Sequence, residues 1–141
     1  MQPKPYLRKT NYYETDQMGI IHHANYIHWF EEARIDYMEQ IGFGYDKAVQ
    51  SGIDFAVLDV QCSYKTMTRF GETVQVIISI PELSSMRMTI NYQVLDSKSG
   101  ELRCTGSTSH CYYDRKKKRP VLLKKVLPEL YKLLESLKEK N

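Results

Sequence analysis

Apolar residues recur at two different periods along the chain, and the change from one to the other divides it. Between Asn25 and Ile41, the residues Tyr26, Ile27, Phe30, Ala33, Tyr37 and Ile41 fall at three- and four-residue steps, the spacing of one stripe on an α-helix. His28, Glu31, Glu32, Asp36 and Glu39 fall mostly on the other side, and only Ile35 breaks the pattern, which predicts that the polar side is partly covered. Asn25 is placed to cap the start of this helix, and Gly42 to end it in the left-handed conformation. Gly42, Gly44 and Gly52 then punctuate a short second helix around Tyr45 to Gln50, after which strict alternation takes over. Leu58, Val60, Cys62 and Tyr64 alternate with polar neighbours, as do Val74, Val76, Ile78 and Ile80, and then Met88, Ile90, Tyr92 and Val94. These patterns predict three half-buried strands.

The intervening segments fit antiparallel pairing. Pro81 to Met86 and Asp96 to Gly100 are short and turn-like, so consecutive strands are expected to form hairpins. A first strand is expected over Tyr6 to Tyr13, which is rich in Tyr and Thr. The last strand, Leu102 to Tyr113, carries Cys104, Thr105, Gly106, Ser107, Thr108 and Ser109, small side chains that let another backbone come close and leave room for a helix. Leu127, Leu130, Leu134 and Leu137 predict an amphipathic terminal helix with Pro128 near its first turn. The sum is an α+β layer architecture: an antiparallel sheet of about five strands wrapped around one long central helix, plus a C-terminal helix, in a single domain over residues 1–141. A small open sheet leaves edges, so a homo-oligomer, dimer or tetramer, is expected.

Composition narrows the function classes without choosing one. At 141 residues the chain is long enough for a real core, since a domain of about 150 residues buries roughly 68–70% of its unfolded surface. A net charge of +3 is too mild to argue for nucleic acid, and few aromatics interleave with the basic run Arg115 to Arg119, as single-strand stacking would require. The amino terminus has no apolar signal region, and charges interrupt every apolar run well short of the roughly 18 residues of a membrane helix, so a cytoplasmic protein with no membrane span is expected. The three cysteines, Cys62, Cys104 and Cys111, form no CxxC pair and fall in predicted strands, where a free thiol behaves as a small hydrophobe.

The chemistry-bearing residues gather where the long helix begins. Asp16 precedes Gly19, and His22 and His23 stand at the helix entry. A helix start offers unpaired amides and a partial positive charge, which suit an oxyanion that develops during reaction, and a carboxylate a few residues upstream suits a nucleophile or general base. The plainer reading is that Asp16 caps a turn and the histidines are ordinary loop residues. A metal set of Asp16, His22, His23 and His28 is disfavoured, because His23 and His28 are five apart and do not share a helix face. Glu31 and Glu32 read as a solvated face or as partners for Arg34, with a second catalytic acid as the alternative. Lys65, Arg69, Arg87 and Arg115 to Arg119 read as exposed strand ends, or as cations for a polyphosphate ligand.

The segment YYETDQMGIIHHANYIHWFEEAR resembles the acyl-CoA thioesterases of the 4-hydroxybenzoyl-CoA thioesterase family, especially the branch associated with the Tol-Pal system, through Tyr12, Asp16, Gly19, His23, Ala24, Asn25, Tyr26, Phe30 and Glu31. HCYYDRKKKRPV, from His110 to Val121, is similar to that family's final strand and turn. The resemblance implies a hotdog fold with its active site at a dimer interface, and acyl-CoA as substrate with no metal and no separate cofactor, coenzyme A being part of the substrate. It implies Asp16 as the catalytic carboxylate and the amide at His23 as the group polarising the thioester carbonyl, with the His23 side chain positioning substrate or water. Tyr12, Gly19, Asn25 and Tyr26 are carried over as substrate-binding positions. His22 stands where tyrosine or phenylalanine is frequent in the family, and the basic run is heavier than usual. Two other readings stay open: a hotdog dehydratase or hydratase, and a non-catalytic acyl-thioester-binding protein.

Overall fold

The computed structural model describes residues 2–139. In chain order it holds strand β1 (Tyr6–Lys9), a 3-10 turn (Tyr12–Glu14), helix α1 (Asn25–Gln40), helix α2 (Tyr45–Ser51), strands β2 (Ile53–Tyr64), β3 (Thr73–Leu83), β4 (Arg87–Asp96), β5 (Leu102–Asp114) and β6 (Arg119–Val121), and helices α3 (Leu123–Val126) and α4 (Pro128–Leu137). The strands form one antiparallel sheet in the order β1-β3-β4-β5-β2, with the short β6 beside the end of β5. Helix α1 covers one face. Val74, Val76 and Ile80 of β3, Met88, Ile90, Tyr92 and Val94 of β4, and Cys104, Thr108, His110 and Tyr112 of β5 are buried on that side.

Five residues of α1 are buried, Tyr26, Trp29, Phe30, Ala33 and Tyr37. The stripe therefore differs from the expected one at its start: Ile27 is 41% exposed and Trp29 is fully buried in its place. Steps of three and four from Tyr26 lead to Trp29 and Phe30, whereas Ile27 is one residue, about 100°, off that line. Asn25 is not the cap; the cap position is Ala24, and Asn25 is the first helical residue. Gly42 ends the helix as expected, with φ 88° and its amide donating to the Glu39 carbonyl at 3.1 Å.

The small-residue stretch of β5 receives α1. A methyl group at Gly106 would run into the Phe30 ring, which also stacks on Tyr92 with centroids 4.3 Å apart. Glycine is required here for closeness, so that the widest part of the helix can sit on the sheet. At the chain's end Leu130, Leu134 and Leu137 of α4 are buried, with Pro128 opening the helix.

Two strands depart from expectation. The first stops at Lys9, and Tyr12–Glu14 form the 3-10 turn, because the Glu14 side chain accepts from the Asn11 amide at 2.7 Å and folds the chain back. β2 starts earlier than Leu58 and carries an irregularity there: Val57 pairs with His110 and Asp59 with Ser109, so Leu58 is an extra residue. That bulge switches the phase of the strand, and Ile53, Phe55 and Val57 before it share a face with Val60, Cys62 and Tyr64 after it. β2 is also the end strand. Val57, Leu58, Val60 and Tyr64 are 46%, 49%, 38% and 47% exposed, so the expected half-burial fails on this strand for want of a cover.

Candidate active site

The loop between the 3-10 turn and α1 folds as a small hairpin against the segment after β2. Thr15 bridges Ile21, Ile20 bridges Arg69, and the Ile21 amide donates to the Thr68 carbonyl at 2.8 Å. At its tip the Gly19 amide donates to the Asp16 carbonyl at 3.0 Å, and Gly19 has φ 76°, a left-handed value that favours glycine. The Asp16 carboxylate is half-buried; its Oδ1 accepts from the Met18 amide at 2.8 Å. Among the described residues Oδ2 accepts no hydrogen bond. Asp16 thus caps its turn through one oxygen and presents the other.

Two residues beyond Ile21, the chain enters the helix through the histidine pair. The rings of His22 and His23 stack with centroids 4.1 Å apart, and both residues are exposed. His22 Nδ1 accepts from the Ala24 amide at 3.2 Å. The Tyr64 hydroxyl donates to the His23 carbonyl at 2.9 Å, and its ring meets His23 edge-on. Among the described residues the His23 amide donates to no acceptor. A backbone N–H held in place on both sides and left unpaired at a helix start is a donor for a developing oxyanion.

The remaining predicted positions are distributed around this entrance. Tyr12 is 76% exposed and meets Phe70 edge-on, with Met18 and Tyr13 also exposed. Asn25 Nδ2 donates to the carbonyls of Glu14 at 2.9 Å and His22 at 3.3 Å, tying the helix start to the loop. Tyr26 is buried, its hydroxyl donating to Thr68 Oγ1 at 3.0 Å; burial pushes its pKa up. Among the described residues no three His, Cys, Asp or Glu side chains are grouped to hold a metal ion.

The residue that sequence reasoning missed is Glu14. It is 2% exposed, and its carboxylate accepts from Trp29 Nε1 at 2.9 Å and from the Arg8 guanidinium at 2.9 and 3.1 Å. Its carbonyl accepts from the His22 amide at 2.8 Å as well as from Asn25. Arg8 reaches on to Glu32 of α1 at 2.8 Å, so one ion network joins β1, the loop and the helix. The available signal was Trp29: a buried indole N–H needs an acceptor.

The cation candidates separate. Arg69 lies exposed beside Ile20, and Lys65 is exposed at the same end of the sheet. The basic turn Arg115 to Lys118 lies at the other end: β5 runs from Cys104, opposite Tyr64, to Asp114, about 30 Å away at 3.3 Å per residue. Arg115 is paired there with Asp54 at 3.1 Å and with the end of α2. The same far half of α1 also borders an apolar cavity of ≈ 210 Å³, with Arg34, Phe43, Phe55, Ile80 and Met88 in its wall. Arg34 donates to the Tyr92 hydroxyl at 3.0 Å, and Tyr92, Thr108 and His110 continue a buried chain of hydrogen bonds. Burial, and the Arg34 charge, hold the His110 pKa down at about 4.

The chain matches the family described as the thioesterase-like superfamily over residues 11–132, and it belongs to that family. YneP of Bacillus subtilis, named as a candidate acyl-CoA thioesterase, is 31% identical over 93% of this chain and 94% of its own length. Among solved structures, the DHNA-CoA thioesterase of Staphylococcus aureus is 32% identical with a TM-score of 0.88, covering 94% of this chain and 88% of that one. A Thermus thermophilus protein of 32% identity has a TM-score of 0.86 and covers 94% of this chain and 98% of its own. The fold is the hotdog fold: an antiparallel sheet curled around the long helix α1.

Proposed function

We propose that this protein hydrolyses an acyl-CoA thioester to a carboxylic acid and free coenzyme A, with Asp16 as nucleophile or general base. Thioester hydrolysis is the activity named for the family, for the Staphylococcus aureus DHNA-CoA thioesterase and, as a candidate, for YneP. The observation that carries the residue assignment is the helix entrance, where a half-buried carboxylate with a spare oxygen lies one short hairpin from the unpaired His23 amide. The carbonyl oxygen of the substrate takes its place at that amide, which stabilises the negative charge formed as the carbonyl carbon is attacked. Asp16 either attacks that carbon or takes a proton from the attacking water, and the C–S bond breaks to release the thiol. The His23 ring, stacked on His22, positions substrate or water, and Tyr12, Gly19, Asn25 and Tyr26 shape the entrance for the substrate.

The motif from Tyr12 to Glu31 supports the narrower placement in the 4-hydroxybenzoyl-CoA thioesterase family and its Tol-Pal-associated branch. The reaction written here uses no metal and no further cofactor, and we place it in the cytoplasm. We also propose that the active unit is a homo-oligomer built on dimers. Support comes from β2, an end strand with exposed Val57, Leu58, Val60 and Tyr64, whose main chain is paired within the protomer on one side. A mass in light scattering that is purely monomeric at micromolar concentration would count against the oligomer.

The reaction is tested by incubating the protein with acyl-CoAs of graded length and character and following free thiol. Release of coenzyme A from at least one thioester is the expected result. Water added to or lost from the acyl chain without thiol release would move the protein to the dehydratase class, and binding without turnover across the panel would make it a carrier.

A further inference from the structure

The sheet brings together two cysteines that the sequence separates by 42 positions. Cys62 on β2 and Cys104 on β5 have their sulfurs 3.2 Å apart. In the register of the two strands Cys62 stands opposite Gly106 and Tyr64 opposite Cys104, so the cysteines are diagonal neighbours on the face toward α1. The absence of a side chain at Gly106 lets the Cys62 sulfur lean along the strand toward Cys104. A disulfide has sulfurs about 2.05 Å apart, so closure needs roughly 1 Å of approach. β2 has room to make it, being an end strand.

The two thiols are not equivalent. Cys62 is half-buried and within reach of a small oxidant, whereas Cys104 is fully buried. The hydrogen bond between them brings Cys62 down to about 7, against burial, which raises it; the same bond, with burial, pushes Cys104 up. The exposed partner is therefore the one with thiolate character near neutral pH, the form that reacts. Cys111 is buried and lacks a thiol neighbour among the described residues, which makes it an internal control.

We propose that Cys62 and Cys104 form a peroxide-responsive dithiol, with Cys62 the thiol attacked first and Cys104 the one that resolves it to an intrachain disulfide. In the first step the Cys62 thiolate takes an oxygen from a hydroperoxide: the S–O bond forms, the O–O bond breaks, and the departing hydroxide or alkoxide leaves protonated as water or alcohol. In the second, the Cys104 sulfur attacks the Cys62 sulfenic acid, the S–S bond forms, the S–O bond breaks, and water leaves carrying the Cys104 proton. The two thiols lose two electrons and the peroxide gains them. A reducing thiol reverses the change.

The bond would be felt at the helix entrance. Tyr64, opposite Cys104 and two residues from Cys62, is the residue whose hydroxyl holds the His23 carbonyl at 2.9 Å and whose ring abuts Tyr26. Drawing β2 toward β5 at Cys62 shifts Tyr64 and releases that hold. This effect on turnover rests on the active-site reading above, and the disulfide itself does not.

The test treats the folded full-length protein with hydrogen peroxide, blocks remaining thiols and digests without reduction. The expected product is a chain that stays monomeric on a denaturing non-reducing gel, is lighter by two hydrogens, and yields a peptide pair joined through Cys62 and Cys104 with Cys111 blocked. In Cys104→Ser, Cys62 is instead trapped as a sulfenic acid by dimedone. Oxidised parent enzyme should lose thioesterase turnover several-fold and regain it with dithiothreitol, while Cys62→Ser should be insensitive to peroxide. Cys62 left unreacted, Cys62 oxidised to sulfinic acid beside a free Cys104, or a cross-link through Cys111 would overturn the dithiol. A Cys62–Cys104 cross-link with unchanged turnover would overturn the coupling through Tyr64. Mass alone reads the cross-link, so this result stands apart from whether the protein hydrolyses acyl-CoA.

Discussion

From Phe30 to Tyr37 helix α1 is held by shape: the Phe30 ring lies on Gly106 and Tyr92, and Ala33 and Tyr37 follow on the same stripe. From Asn25 to Trp29 it is held by polar bonds that converge on Glu14, a carboxylate shared by β1, the loop and the indole of Trp29. The middle of the helix needs only apolar surfaces that fit, a non-directional requirement. On the proposed mechanism the entrance needs a loop fixed within hydrogen-bond tolerance, because a carboxylate and an amide would have to meet one substrate. Directional, buried ion pairs supply that, at the desolvation cost that comes with them.

The sharpest way to break this contrast is Glu14→Ala, which leaves Trp29 Nε1 and the Asn11 amide without their acceptor and removes the hydrogen bonds that both arms of the Arg8 guanidinium make to Glu14. Removing one partner from a buried ion pair costs about 3–5 kcal/mol, and urea denaturation should show a loss of that size. A denaturation midpoint equal to the parent's would mean that packing alone holds the entrance.

The polar chain in the other half has its own signature. Because His110 is held near 4, below the ordinary 6.5, the unfolded chain takes up a proton that the folded one refuses. Its contribution is complete above about pH 6.5 and is lost as pH falls toward 4, by an amount of the order of 3 kcal/mol over that window. Comparing unfolding free energies of the parent and His110→Gln at pH 7 and pH 4.5 isolates it. The parent should lose more stability on acidification; equal losses would mean that His110 does not stay neutral.

A smaller effect tests the shape argument. Gly106→Ala should destabilise by about 1–3 kcal/mol, the usual cost of overpacking a filled core. Combining it with Phe30→Leu should recover part of that loss, since the two residues contest the same space. Strict additivity would show that the methyl group is accommodated elsewhere.

The same division explains what could be read from the amino acids. β3, β4 and the body of α1 follow from periodicity because burial on one face is a repeated, local demand, and Gly106 could be read as a close-approach site from its small neighbours. β2 shows the limit of that reasoning: alternation tells which residues share a face, and neither the phase switch at Leu58 nor the absence of cover over Val60 and Tyr64 follows from it. Glu14 carries no periodic signal, since its importance lies in Arg8 and Trp29 reaching the same point. The nearness of Cys62 and Cys104 likewise depends on strand register across 42 positions. Asp16 and His23 were legible as a cluster at a helix start, and so was the turn cap that Asp16 makes to the Met18 amide; the second carboxylate oxygen and the unpaired His23 amide depend on how the loop folds and have no signature in the sequence.

Substituting Asp16 by Asn tests the catalytic claim most directly. The amide oxygen of Asn can still accept from the Met18 amide, so the turn and the fold should survive, and circular dichroism should match the parent. With the best acyl-CoA as substrate, kcat should fall about 10²–10⁴-fold if Asp16 is a general base, and further if it is the nucleophile. A folded Asp16→Asn protein that releases coenzyme A at the parent rate would contradict the account and remove Asp16 from the reaction.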